Sequence, residues 1–105
     1  MSDYLPDVYV RFRERYPGVA QSLDALGTAT QDAGGLDARS QRLVKLGIAI
    51  GALAEGAVRS NVRKARAVDV SDEDIRQTAL LAISTAGFPT AIAAMAWIEE
   101  VLAAG

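Results

Sequence analysis

From Gln77 to Ile98 the sequence carries no charged residue. A helical run of that length is long enough to cross a bilayer. Gly87-Phe88-Pro89 cuts it into two halves, each too short to span. Gln77, Thr78, Ser84, Thr85 and Thr90 scatter polar groups along it. The pattern predicts two buried helices that meet at a tight turn, with a membrane segment as the alternative. Ser71-Asp72-Glu73-Asp74 marks the first start: a hydroxyl to cap the helix and three acids at its positive end. Ile75, Thr78, Ala79, Ala82 and Ile83 give this helix an apolar face. Gly87 stops it, and Pro89 starts the last helix, where Ile92, Met95, Ala96 and Glu99 step along one side.

The rest of the chain also reads as helix, with no strand. Pro6 and Pro17 suit first-turn positions. They predict a short helix ending near Tyr16 and a second from Pro17 to about Asp32. Gly34-Gly35 is a break. Asp37 then caps a helix to about Gly51, in which Leu43, Leu46, Gly47 and Ile50 recur at helical spacing. The stretch GALAEGAVRSNVRKA (51–65) begins the next helix, which ends before Asp69. The fold class is therefore all-α, a bundle of about six helices. No repeat or linker divides the chain, so residues 1–105 are expected to form one domain.

Half of the residues are apolar, and many of those are alanine. A chain of 105 residues buries only a modest share of its surface when alone. So much apolar surface predicts that other copies cover some of it, giving a homo-oligomer. The stripes Gly47, Gly51, Ala54 and Ala91, Ala94, Ala96 read as close helix packing. Phe88, Met95 and Trp97 read as core or interface. Tyr4, Tyr9, Phe12 and Tyr16 are expected to pack the first helix onto the rest. The net charge of -2 argues against nucleic acid or an anionic membrane as a partner. The absence of cysteine and histidine removes thiol redox chemistry, thiolate nucleophiles, most zinc sites and the usual general base near neutral pH. No metal or cofactor is expected. No signal peptide is visible, so the cytoplasm is the expected compartment.

Four segments carry a resemblance. They are GGLDARSQRLVKLGIAI (34–50), NVRKA (61–65), VSDEDIRQTALLAI (70–83) and GFPTAIAA (87–94). In order and spacing they resemble the carboxymuconolactone decarboxylase family, which includes the alkylhydroperoxidase D-like proteins. The pieces correspond to its Gly-x-Leu-Asp helix entry, its His-x-x-x-Ala turn with the first residue changed, its acidic cap and its Gly-x-Pro-Ala turn. The resemblance is strongest over residues 34–100. It implies an alkylhydroperoxidase D-like helical bundle that assembles as trimers or hexamers.

The resemblance also implies where chemistry would sit. The redox branch places Cys-x-x-Cys four residues before a histidine, with a glutamate on the preceding helix. Aligned on NVRKA, the cysteine positions hold Ala54 and Ala57, the histidine position Asn61, and the glutamate position Arg42. The decarboxylase branch expects a glutamate where Ala57 stands. A thiol peroxidase needs a thiolate nucleophile and a resolving partner, and this chain has neither.

The candidate residues lie around that helix. Ala54, Ala57 and Asn61 share a face by their three- and four-residue spacing, beside a stripe of Glu55 and Arg59. Glu55 and Asn61 are the candidate catalytic residues: Glu55 as acid/base or ligand anchor, Asn61 as donor to a substrate oxygen. Arg42, Arg59 and Arg63 are the candidate substrate-binding residues. Against this stand an ordinary Glu55–Arg59 surface pair and an asparagine that only satisfies backbone groups. Arg39, Arg42, Lys45, Arg59, Arg63, Lys64 and Arg66 crowd the two middle helices. They can hold a carboxylate or phosphate if they converge, or simply pair with acidic flanks of neighbouring chains.

Two functional readings remain open. One is a thiol-free pocket for a small, anionic organic molecule, with proton-transfer or lyase-type chemistry. The other is a catalytically degenerate oligomer that serves for binding or as a scaffold. The sequence does not decide whether the protein is an enzyme.

Overall fold

The computed structural model describes residues 7–105. Six helices follow one another: α1 (Asp7–Arg15), α2 (Pro17–Gln31), α3 (Ala38–Gly51), α4 (Glu55–Ala67), α5 (Asp72–Leu81) and α6 (Phe88–Ala104). No strand occurs among the described residues. Among the described residues no helix is long and apolar enough to cross a membrane. The chain forms two compact units, Met1–Gly35 and Leu36–Gly105.

In the first unit, α1 and α2 form a hairpin around Tyr16. Arg13 grips both carboxylate oxygens of Asp24, at 3.0 and 2.5 Å. Tyr9 and Phe12 of α1 and Tyr16, which precedes α2, follow one another as tilted ring pairs, with centroids 6.5 and 6.0 Å apart. Val19, Leu23 and Leu26 of α2 stay exposed. Pro17 occupies the first turn of α2, as its fixed φ favours. Pro6 and Tyr4 lie outside the described residues.

The second unit holds the core. Leu46 and Ile50 of α3, Val58 and Val62 of α4, Ile75 of α5 and Ile98 of α6 are fully buried against one another. Each such side chain contributes about 1.5–3 kcal/mol through burial. Two helix starts are capped as the sequence predicts. Asp37 accepts the Ser40 N–H at 2.7 Å, and Ser71 accepts the Asp74 N–H at 3.1 Å. The Ser40 N–H also holds the Asp37 carboxyl below the ordinary range.

The structure corrects three details. The stretch 51–65 is not one helix. Gly51 closes α3, and the chain turns through Leu53 at φ 53° before α4 starts at Glu55. The Ala54 N–H bonds to Ala49 O and the Leu53 N–H to Ile50 O, which is the Schellman arrangement with leucine where glycine is usual. Second, α5 ends at Leu81, before Gly87. Ala82 O gathers the N–H groups of Thr85, Ala86 and Gly87, which leaves Ile83 exposed instead of on the core face. Third, α6 buries Ala91, Ala94, Ile98, Val101 and Leu102, whereas Ile92 faces outward. Gly87 is the residue the turn requires, since its φ of 100° is open to glycine alone at little cost.

The small-residue stripes divide. Ala91 and Ala94 are buried, and a Cβ on Gly47 would touch Thr78 at 3.8 Å. A Cβ on Gly51 would meet no other part of the described residues within 4 Å, so no close helix approach there requires glycine. Met95 and Trp97 lie partly buried on the core, whereas Phe88 is exposed.

Candidate functional site

The sequence-expected site residues fall on facing helices of the second unit, Arg42 on α3 and the others on α4. Glu55 opens α4, where its charge suits the helix's positive end. Arg59 lies one turn on and donates Nε to Glu55 at 3.0 Å. It also donates to Glu100 of α6 at 2.6 Å. The Glu100 hydrogen bond is the larger cause that raises the Arg59 pKa; the Glu55 bond adds to it, while burial opposes both. Arg59 is thus engaged on both sides within its own chain. Glu55 stays about half exposed.

Asn61 donates its side-chain amide to the Ala57 carbonyl at 2.9 Å, one turn back on α4. Its carbonyl oxygen is not used in that bond. Ala57, where the decarboxylase branch has glutamate, is exposed, and Ala54 is the N-terminal cap of α4. Arg63 lies one turn beyond Arg59 and is half-buried.

The basic middle helices resolve into two groups. Arg39 pairs with Asp74, Arg59 with Glu55 and Glu100, and Arg66 with Asp72 at 3.5 Å. These pairs, with Arg76–Glu99 at 2.8 Å, join α3 to α5, α4 to α6, α4 to α5 and α5 to α6. None of them joins α3 to α4. There the charges are alike: Arg42 of α3 and Lys64 of α4 both act on Lys45 of α3, and no carboxylate among the described residues pairs with any of the three. Burial first, and then the charges of Arg42 and Lys64, lower the Lys45 pKa from the ordinary lysine value. Like charges facing each other across packed helices are costly unless an anion neutralises them.

One contributor escaped the sequence reading. Glu100 is 41 residues from Arg59, and no local pattern links them. Lys45 and Lys64 carried a signal of their own, being the only two lysines in the sequence. Arg42 and Lys45 are one turn apart on α3, so they share a face.

A separate apolar hollow of about 70 Å³ lies at the α5–α6 turn, lined by Ala79, Leu80, Ile83, Phe88, Ile92 and Met95 among others. None of the sequence-expected site residues lines it. No group of three or more acids that could hold a metal ion occurs among the described residues.

The family model described as "Carboxymuconolactone decarboxylase family" matches residues 17–100. The fold is similar to the crystal structure of a carboxymuconolactone decarboxylase family protein from Legionella pneumophila, in its apo form. The TM-score is 0.74 at 21% sequence identity, covering 89% of this chain and 86% of that one. No curated protein sequence matches.

Proposed function

Because the chain belongs to the carboxymuconolactone decarboxylase family, we propose that it is a homo-oligomeric member that binds a small organic anion at a site without thiol or imidazole. One observation carries this reading: Arg42 of α3 and Lys64 of α4 both act electrostatically on Lys45, and no carboxylate among the described residues pairs with any of the three. A carboxylate on the ligand supplies the missing charge. Asn61, one turn before Lys64 on α4, is the donor to a substrate oxygen; Glu55, about 13 Å along α4 from Lys64, is the acid/base for the part of a ligand that reaches the start of α4, and the associated chemistry is proton transfer or a lyase step. Arg59 holds the charge of Glu55, and Arg63 extends the basic surface along α4.

The trimeric or hexameric assembly rests on exposed apolar side chains. Ile48, Leu80, Leu81, Phe88 and Ile92 are each at least half exposed in this short chain. Isothermal titration of the purified protein with a panel of small carboxylic acids tests the anion site. Saturable binding that weakens in Arg42→Ala and Lys64→Ala supports it; no heat with any acid refutes it.

A second reading has its own support. Arg59 is fully engaged, and Glu55 lies in a half-exposed helix pair. That is what a scaffold with a decayed site would show. Native mass spectrometry addresses both readings: an oligomer that retains an organic acid favours the binding site, and an empty oligomer favours the scaffold.

A further inference from the structure

We infer that the apolar hollow at the α5–α6 turn is a two-fold contact, where a second copy of this chain sets the same Leu80, Ile83, Phe88 and Ile92 against their counterparts. This deepens the homo-oligomer reading above and rests on it. Of the trimeric and hexameric assemblies it selects the hexamer, because a two-fold contact joins copies in pairs.

The turn between the helices builds the surface. α5 ends at Leu81 and α6 starts at Phe88, while Ala82 O gathers the N–H groups of Thr85, Ala86 and Gly87. Ile83 and Phe88 are thereby held out of the core, beside Leu80 of α5 and Ile92 of α6. These four line one hollow of about 70 Å³ with the buried Ala79 and Ala91. The lining side chains are apolar, so water there finds no side-chain partner. Ligand pockets measure about 300–1,000 Å³. This hollow has the size of a single side chain.

The four residues are each between 41% and 58% exposed. Together they present on the order of 400 Å² of apolar surface, a patch size that marks interaction sites. Leu81, Ser84 and Thr85 on the same turn are exposed and uncharged. With them, two facing copies approach the ~1,000 Å² that a specific interface needs.

Charge selects the occupant. A two-fold contact brings each residue towards its own copy, so a free charge near the axis meets its like. No charged residue occurs from Gln77 to Ile98. At the edge of that run Arg76 is held by Glu73 and Glu99 of its own chain, at 3.0 and 2.8 Å. The face therefore offers no charge for a foreign partner to match and none that repels a copy of itself. It also carries both halves of a fit: side chains that stand out and a hollow that receives one.

The chain has no cysteine, so a single introduced one reports on its own position. Leu80→Cys, Ile83→Cys and Ile92→Cys are oxidised separately with copper phenanthroline and run on a non-reducing gel. Leu23→Cys, at an exposed apolar position of α2, is the control. Native mass spectrometry counts the copies in the wild type and in Phe88→Glu, and circular dichroism checks that each variant keeps its helices. The expected result is an even-numbered oligomer and a covalent dimer from at least one of the three patch cysteines, since a disulfide forms only where two copies bring Cα atoms within about 7 Å. Leu23→Cys is expected to give none, and Phe88→Glu smaller oligomers. An oligomer with no patch cross-link and no response to Phe88→Glu overturns the two-fold contact and leaves the homo-oligomer reading standing. A trimer does the same, because three copies cannot close on a two-fold axis. Equal cross-linking of Leu23→Cys overturns the contact, since it reports collision alone. A wild-type monomer overturns both readings, and an apolar small molecule retained on it identifies the other occupant of the hollow.

Discussion

Arg59 donates to Glu100 at 2.6 Å, which ties α4 to α6 across 41 residues of sequence. Its bond to Glu55 at 3.0 Å is local to α4. The two carboxylates therefore do different work. An i,i+4 pair contributes about 0.3–0.5 kcal/mol. The interhelical pair also fixes how α6 lies on α4. In urea denaturation Glu100→Gln is expected to cost about 0.5–1 kcal/mol, and Glu55→Gln less. A larger loss for Glu55→Gln would contradict this division.

Lys45 is partly buried and lies under the influence of Arg42 and Lys64, so its charge opposes folding. Its folded pKa is lowered below the unfolded value. Between the two values the unfolded chain binds more protons than the folded one, so stability rises with pH through that window. Lys45→Met is expected to raise the urea midpoint at pH 7 and to remove that alkaline rise. A lowered midpoint in the variant would count against like-charge crowding.

Acid acts the other way. The Arg76 hydrogen bond holds the Glu99 carboxyl below its ordinary range, and the Arg13 bond does the same for Asp24. A depressed folded pKa gives stability that is present above the unfolded value and lost as pH falls through the folded one. Stability is expected to decline below about pH 4, and Glu99→Gln to flatten part of the decline. Denaturation midpoints taken across the acid range read this directly.

Ile98 is fully buried, while Ile92 on the same helix is about half exposed. Ile98→Ala is expected to cost about 2–5 kcal/mol. Ile92→Glu should leave the helical content intact and weaken the assembly, which native mass spectrometry would show as smaller oligomers. An unchanged oligomer would remove Ile92 from the proposed interface.

Leu53 holds a left-handed backbone at φ 53° with half its side chain exposed. The strain of a side chain there outweighs the little burial it gains. Leu53→Gly is expected to stabilise the protein by about 0.5–1 kcal/mol. Thermal unfolding at a lower temperature than wild type would show that Leu53 makes a contact worth more than its strain.

Much of the fold was legible because its signals are local. Asp37 and Ser71 announce their helices through side chains that reach backbone N–H groups three residues on. Pro17 and the Gly87-Phe88-Pro89 turn mark boundaries through φ restrictions. The break at Leu53 escaped because nothing in a leucine asks for a left-handed φ; the packing of α3 against α4 imposes it. The outward turn of Ile83 and Ile92 escaped for a related reason. Helical spacing places residues on a common face, but the neighbouring helix decides which face is buried.

The candidate site divides along the same line. The sequence by itself determined that the chain is helical, that it lacks thiol and imidazole, and that its cations crowd two adjacent helices. Those are properties of composition and of spacings under five residues. Only the tertiary structure decided which cations are neutralised. Glu100, Asp74 and Asp72 reach Arg59, Arg39 and Arg66 because helices distant in sequence pack side by side. The same packing leaves Lys45 under the influence of Arg42 and Lys64, since charge pairing depends on distances of a few ångströms that the chain sets only when it folds.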